Sequence, residues 1–307
     1  LLMIKAEFFV QLIGASFFLI LNIYLAKQGF SDPEIANFIS YRFLAVMLLA
    51  FPLGFYIKGK PLKPFFIFGC IGVPLVAIFL VLAVENQWHN YLPLLFIFWG
   101  VFFTLFQVSS LPYIMRNTIS KNQSHAISLN YATHSFGTIF SGIIIFGFGK
   151  FMKEIDEGLI LLFISLLGFF GLHYLLKINV DIVVPVKKGT ECKSYDWNLL
   201  LKAIIPTIII AIGAGLTIPF INLFFYHNFE VDSSNFAVIG GIASVLVAGL
   251  SLLVPNLKNK LGFRKAITYT QTTAVIALIA LASTEFFIAY WWALPIAILC
   301  FWIRTPL

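Results

Sequence analysis

Ten long apolar runs, separated by short polar stretches, limit what this chain can fold into more than any other feature. A helix needs about 20 apolar residues to cross the hydrocarbon core of a bilayer. The runs lie approximately at 6–27, 34–57, 65–85, 91–115, 125–150, 158–177, 199–225, 233–255, 266–284 and 286–304. Only 11% of the residues are charged, against about 25% in a typical soluble domain. The sequence therefore predicts an all-α integral membrane protein, in contact with the lipid bilayer.

The basic residues alternate from loop to loop. The loops after predicted helices 2, 4, 6 and 8 hold thirteen Lys and Arg residues, whereas the other loops hold three. Such an excess marks cytoplasmic loops, so we expect a cytoplasmic N-terminus, in a bacterial inner (plasma) membrane. The same rule explains the net charge of +7 without a nucleic-acid partner.

An internal repeat appears when the chain is shifted by about 200 residues. The shift aligns Asn22 with Asn222 and Asp32 with Asp232, and each basic loop then follows an equivalent helix. A parallel repeat of this kind implies two six-helix halves. We predict an N-terminal half at 1–178, a cytoplasmic central loop at 179–198 and a C-terminal half at 199–307. Two complete halves would need about 400 residues, so we expect ten helices of twelve and a chain truncated after helix 10.

Two loops carry a related motif. PNLKNKLGFRK at 255–265 keeps a central basic residue, a glycine and a terminal basic pair, and GFYIKGK at 54–60 is a weaker copy. On these residues the chain resembles the major facilitator superfamily, whose motif lies between helices 2 and 3 and again between helices 8 and 9. The resemblance implies a gating role for these loop residues: Gly54, Lys58, Lys60, Asn259, Lys260, Gly262, Arg264 and Lys265.

The resemblance also implies a function. It predicts a monomeric secondary active transporter that moves a small-molecule substrate by alternating access, with no cofactor, no metal and no catalytic residue. It leaves proton coupling open, because helix 4 lacks the membrane-embedded Arg, and helix 5 the Gly-Pro pair, of many proton-coupled members.

Polar side chains within the apolar runs are candidates for the substrate pathway. A charge at the bilayer centre costs about 2.5–3.5 kcal/mol, so such residues normally face the bundle interior. The candidates, each of which could instead join helices together, are Gln11, Asn22, Arg42, Gln107, Asn130, His134 and Asn222. Glu7 is expected near the cytoplasmic interface, and Tyr290 and Trp291 are expected early in helix 10 as interface anchors.

Small residues recur every four positions in helices 5 and 8. Such stripes are typical of close helix packing in membranes. With the resemblance, they predict a contact between the two helices, made by Gly137 and Ser141 on one side and by Gly240, Ser244 and Ala248 on the other.

Two other kinds of protein fit the composition. A complete ten-helix drug/metabolite-type transporter would have an inverted repeat with an offset near 150 residues rather than 200. An integral membrane enzyme would need clustered acids, histidines or cysteines, whereas the five histidines are spread over different helices and no HExxH motif occurs.

Overall fold

The computed structural model describes residues 1–152, 155–179, 181–183, 197–251 and 260–305, and the regular elements of these residues are all helices. The chain forms α1 (Leu2–Lys27), α2 (Asp32–Tyr56), α3 (Lys63–Glu85), α4 (Leu92–Asn117), α5 (Ser120–Phe151), α6 (Glu157–Gly168, continuing as Phe170–Leu176), α7 (Trp197–Thr217, continuing after a 3-10 turn as Ile221–Phe229), α8 (Ser233–Ser251), α9 (Phe263–Ser283) and α10 (Ala293–Arg304).

In the described ranges, nine helical segments are long and apolar enough to cross a membrane, and α10 is a shorter apolar helix. The prediction of an all-α membrane protein with about ten helices is therefore confirmed. The predicted start of helix 10 at 286 is wrong, since α10 begins at Ala293. Tyr290 and Trp291 lie in the turn before it, where Tyr290 stacks on Trp292 at 5.4 Å.

Local signals in the sequence explain where several helices begin. Ser31 and Glu34 form a capping box at the start of α2, in which Glu34 accepts hydrogen bonds from Ser31 N at 2.9 Å and Oγ at 2.7 Å. Asp156 caps α6 by accepting from Glu157 N at 2.7 Å. The loop between α2 and α3 turns at Gly59, whose φ of 69° is a conformation that favours glycine.

The first six helices, which we call the N-terminal group, pack around α1. Most of α1 is buried, and the rings of Phe17 and Trp99, from α1 and α4, meet at a centroid distance of 4.8 Å. In contrast, α2 exposes large apolar residues, among them Met47 and Phe51. An apolar helix that is exposed in this way is suited to contact lipid rather than water.

At one end of the N-terminal group, the segment after α6 is tied to the loop between α2 and α3. Asp181 Oδ2 accepts hydrogen bonds from Leu62 N at 2.6 Å and Lys63 N at 2.8 Å, and Lys63 Nζ donates to Ile178 O at 2.6 Å. We call this end the basic end, because the basic loops lie there. The predicted boundaries at 178 and 198 stay a prediction, since 180 and 184–196 lie outside the described residues.

The last four helices, the C-terminal group, pack on the N-terminal group mainly through α5 and α8. The predicted contact between helices 5 and 8 is therefore confirmed. Gly137, Ser141 and Gly240 face α1 instead, and the part of Ser244 in the contact stays a prediction. Ser141 Oγ donates to Leu12 O of α1 at 2.9 Å. The residue of α5 that approaches α8 is Gly142, where a Cβ atom would lie 2.7 Å from Ala237 O.

On the α8 side, two members of the predicted stripe also lie elsewhere. Gly240 faces Leu19 of α1, since a Cβ atom at Gly240 would lie 2.5 Å from the Leu19 side chain, and Ala248 is exposed. The stripe of α8 therefore packs partly on α1, and the four-residue spacing did not identify which face meets α5.

Candidate functional site

Two asparagines that the repeat aligns meet between the groups. Asn22 Nδ2 donates to Asn222 Oδ1 at 3.0 Å and to Pro219 O at 2.6 Å, and Asn222 Nδ2 donates to Phe18 O at 3.2 Å. Pro219 lies in the 3-10 turn that interrupts α7, so its carbonyl has no regular helical partner. These contacts join α1 to α7, while the expected role of Asn22 and Asn222 in the substrate pathway stays a prediction.

Two further polar contacts between the groups lie beyond the asparagines. Asp32 Oδ1 and His227 Nε2 are 3.0 Å apart on the surface. Glu157, at the start of α6, forms an ion pair with Lys27 and accepts a hydrogen bond from Ser233 Oγ at 2.9 Å. We call this end of the protein, opposite the basic end, the closed end.

A cavity of about 340 Å³ lies at the closed end, with Lys27, Asp156, Glu157, Asp232 and Ser233 in its wall. Burial, followed by the adjacent Glu157 carboxylate, raises the pKa of Asp156 above its ordinary value. The cavity is therefore an acidic space in which Lys27 partly offsets the negative charge.

Towards the basic end the two groups separate. Tyr131 lies eleven residues, about three turns, before Gly142, and so on the face of α5 that meets α8, yet its exposed fraction is 67%. Val245 lies one turn beyond Gly241, which faces Gly142, and its exposed fraction is 54%. The two helices touch at the other end, where a Cβ atom at Gly149 would lie 2.7 Å from Ser234 Oγ. The groups therefore form a wedge, joined at the closed end and open at the basic end.

A polar cluster lies within the N-terminal group, between α1, α4 and α5. It consists of Glu7, Gln11, Ser110, Asn130 and His134. Asn130 Nδ2 donates to Glu7 Oε1 at 3.3 Å and to Ser110 Oγ at 3.1 Å. Gln11 Oε1 lies 3.3 Å from His134 Nδ1, a distance that suits the tautomer with its proton on Nδ1.

Glu7 is the member of the polar cluster that was not expected there. Its exposed fraction is 1%, so it is buried between helices, while the expectation that it lies near the cytoplasmic interface stays a prediction. A sequence signal existed: Glu7 and Gln11 are one helical turn apart on α1, as Asn130 and His134 are on α5. The signal did not show that the two pairs face each other.

Two acceptor atoms of the polar cluster are left without a partner. Glu7 Oε2 and Asn130 Oδ1 are both buried, and neither has a hydrogen-bond partner among the described residues. A buried acceptor without a donor is unfavourable. One additional hydrogen on the Glu7 carboxyl group would supply a donor at this place.

Arg42 lies outside the polar cluster, on α2. Its guanidinium carbon is 4.1 Å from the ring centroid of Trp99 and 5.4 Å from that of Phe103, both on α4. Arg42 Nε is buried without an acceptor. Gln107, one turn further along α4, is partly exposed and makes no hydrogen bond within the described part of the chain.

The first of the two basic loops differs in part from the motif. Gly54 lies inside α2, so the turn comes at Gly59 instead. The lysines of this loop lie over aromatic rings, Lys58 over Phe55 at 4.4 Å and Lys60 over Tyr56 at 3.0 Å.

In the second loop, Gly262 has a φ of 76° and precedes α9. Arg264 and Lys265 are exposed in the first turn of α9, where the helix dipole disfavours cations. The dipole therefore does not explain their position. Lys260 is exposed as well, and Asn259 lies outside the described residues.

Comparison with known families decides what kind of protein has this architecture. The sequence profile described as Major Facilitator Superfamily matches residues 6–303. The chain belongs to the major facilitator superfamily. The resemblance based on the loop motif is thus confirmed, and this membership supports membrane transport over both an enzyme and a drug/metabolite-type transporter.

Solved structures of superfamily transporters share the fold. A nucleoside transporter has a TM-score of 0.72 at 14% identity, over 99% of this chain and 79% of that one. A D-xylose-proton symporter has a TM-score of 0.67 at 12% identity, over 99% and 77%. A bacterial homologue of the lysosomal transporter Spinster, in an inward-facing and occupied conformation, has a TM-score of 0.66 at 16% identity, over 99% and 72%. No curated protein matches the sequence.

Within the described residues, no group of His, Cys, Asp and Glu side chains could hold a metal ion. The arrangement therefore offers two kinds of chemistry: hydrogen bonds that join the groups at the closed end, and titratable or cationic side chains within the N-terminal group.

Proposed function

We propose that this protein is a secondary active transporter that moves a small solute by alternating access, and that the structure is its inward-open state. The observation that carries the proposal is the wedge: Asn22 and Asn222 join the groups at one end, while Tyr131 and Val245 are exposed towards the other. The excess of basic residues in the loops of the open end supports a cytoplasmic position for that end.

Alternating access requires the contacts of the closed end to break. Each hydrogen bond between helices in a membrane is worth about 0.6 kcal/mol on average. The bonds between Asn22, Asn222 and their neighbours therefore amount to a few kcal/mol, which the difference in substrate affinity between two states can supply. The polar contacts of the closed end are thus strong enough to stabilise one state and weak enough to break when the protein changes to the other.

The polar cluster supports coupling to protons. Glu7 is a buried carboxyl group whose Oε2 has no donor among the described residues. It lies one helical turn from Gln11, which contacts the exposed His134. A proton on Glu7 removes a buried charge and supplies a donor, whereas its release restores the charge. Protonation therefore changes the energy of the contact between α1, α4 and α5.

Counterflow tests the proposal. The protein, expressed from its natural gene, is reconstituted in liposomes loaded with one unlabelled solute at a time, and entry of the same labelled solute is measured. If the protein transports that solute, the labelled solute accumulates transiently inside the liposomes, because efflux of the unlabelled solute drives its entry. Absence of counterflow for sugars, nucleosides, organic acids, amino acids and peptides alike would contradict it.

A further inference from the structure

Arg42 is a half-buried cation whose Nε is buried, and no anion of the described residues pairs with it. In proteins, buried charges are normally paired. The guanidinium of Arg42 contacts the rings of Phe43, Trp99 and Phe103, but no carboxylate of the described residues forms an ion pair with it. Ring faces attract a cation weakly, and they offer no acceptor in the plane of the guanidinium.

Arg116 shows what a structural arginine looks like in the same protein. Its Nη1 donates to Lys60 O at 2.9 Å and its Nη2 donates to Ile57 O at 3.3 Å, so the guanidinium joins α4 to the loop after α2. Arg42 makes no such bond within the described residues, and its Nε is buried without an acceptor. A purely structural role therefore leaves the donors of Arg42 unexplained.

The neighbour of Arg42 is also a donor without an acceptor. Trp99 is buried, and its Nε1 has no hydrogen-bond partner among the described residues. Arginine and tryptophan side chains donate hydrogen bonds and accept none, so neither can satisfy the other. A ligand at this place has to bring acceptors.

The scaffold around the guanidinium is close-packed. A Cβ atom at Gly100 would lie 2.4 Å from Arg42 O, so α2 and α4 approach each other here as closely as a glycine permits. On the other side, Phe17 packs against Trp99, and a Cβ atom at Gly14 would lie 3.1 Å from Phe103. Fixed neighbours reduce the entropy that a ligand-binding side chain loses.

We propose that Arg42 binds an anionic oxyacid group, a carboxylate or a phosphate, on the transported solute. The inference rests on the proposed function, and it adds the chemical class of the substrate. The planar guanidinium matches both groups with two parallel hydrogen bonds. Arg42 lies ten residues into α2, about 15 Å at 1.5 Å per residue. That depth is half of an apolar core of about 30 Å, which favours a solute over a lipid headgroup.

Matched pairs of ligands test the charge requirement. Lactate against lactamide, and glucose 6-phosphate against glucose, are added to the purified protein, and thermal unfolding and tryptophan fluorescence are measured. We expect an anionic member to raise the Tm and its neutral counterpart to leave it unchanged. Equal stabilisation by both members, or none by either anion, would overturn the proposal.

Three variants assign the effect to Arg42. Arg42→Gln is expected to weaken anion binding at least tenfold, as the loss of a charged hydrogen bond predicts. Arg42→Lys keeps the charge without the planar geometry, and we expect it to retain part of the affinity. This variant also tests the proposal if Arg42→Gln does not fold. Arg116→Gln, the matched control, is expected to bind the anion as the unchanged protein does. An anion-selective shift that persists in Arg42→Gln would contradict the proposal.

Two arms separate the possible causes. The first arm places the protein in nanodiscs of phosphatidylcholine, with and without phosphatidylglycerol, and measures the Tm as the anionic solute is added. An increase in Tm that phosphatidylglycerol alone causes, and that Arg42→Gln removes, would show that the anion is a lipid and would overturn the proposal. Anion-selective binding without counterflow would contradict the proposed function but support the Arg42 site. Counterflow of neutral solutes alone would support the proposed function but contradict the Arg42 site.

Discussion

The carboxyl group of Glu7 has one oxygen bonded to Asn130 and one without a donor. A proton on this group replaces a buried charge by a donor, in a cluster where the acceptor Asn130 Oδ1 is also unpaired among the described residues. At the scale of the residue, the proposed coupling to protons therefore rests on the protonation of Glu7.

Glu7→Gln is expected to abolish solute accumulation driven by a pH gradient while retaining counterflow. The amide keeps the shape and neutrality of a protonated carboxyl group but cannot release a proton. Uptake with and without the gradient measures the effect. Glu285→Gln is the matched control, since Glu285 is exposed. Accumulation by Glu7→Gln equal to that of the unchanged protein would show that the proton site lies elsewhere.

Asn22 and Asn222 allow the strength of the closed end to be measured. A double-mutant cycle of Asn22→Ala and Asn222→Ala is expected to give a coupling energy of about 0.6–1.7 kcal/mol, the range for hydrogen bonds between helices in membranes. Thermal unfolding of the two single variants and the double variant supplies the energies. Additive effects would mean that the 3.0 Å contact contributes nothing.

Sequence reasoning found most of the residues of the candidate site but few of their partners. Arg42 and His134 were found because polar groups are rare in apolar helices. The contact of Glu7 with Asn130 was missed because the two residues are 123 positions apart in the chain, and hydropathy carries no information on such pairs. The alignment of Asn22 with Asn222 came from the repeat, but their contact required the packing of α1 on α7.

At the scale of the element, the close approach of α5 and α8 depends on a glycine. In Gly142→Ala, the new Cβ atom would lie 2.7 Å from Ala237 O. Because this distance is too short for a van der Waals contact, the helices must move apart. We expect a loss of stability of about 1–3 kcal/mol, as for other overpacked sites, measured by thermal unfolding. Gly147→Ala is a control on the same helix, because a Cβ atom there meets nothing within 4 Å. Equal Tm values for the two variants would contradict the observed packing.

The helices themselves were predictable, and their interruptions were not. Long apolar runs specify a spanning helix regardless of its neighbours, because backbone groups in lipid must bond within the segment. The break in α6 at Phe169 and the late start of α10 at Ala293 depend on local packing. Four-residue spacing showed that α5 and α8 carry small residues, but a helix with glycines on several faces does not show which of them meets its partner.

At the scale of the whole molecule, the direction in which the wedge opens can be measured. Gln28→Cys, beside the closed end, and Lys260→Cys, at the basic end, are both exposed positions. In intact cells, a membrane-impermeant maleimide is expected to label Gln28→Cys and not Lys260→Cys, because basic loops stay in the cytoplasm. Cys70 and Cys300 are buried, and Cys192, which lies outside the described residues, is replaced by Ser.

Permeabilised cells provide the control for accessibility, since both positions should then react. The opposite pattern, with Lys260→Cys labelled from outside, would reverse the proposed orientation, and the structure would then show an outward-open state. Labelling of both positions in intact cells would contradict any orientation in which the two ends lie on opposite sides of the membrane.

The 3-10 turn at Ile218–Phe220 divides α7 into a long segment and the nine-residue segment Ile221–Phe229. Because the 3-10 turn already interrupts the helix, α7 can bend there with little loss of backbone hydrogen bonds. The short segment bears both Asn222 and His227, so tilting it alone would detach both of its links to the opposite helices. Release of these links while the basic end is still open would leave a continuous path between the two aqueous phases, so the joint at Ile218–Phe220 has to bend only after the basic end has shut.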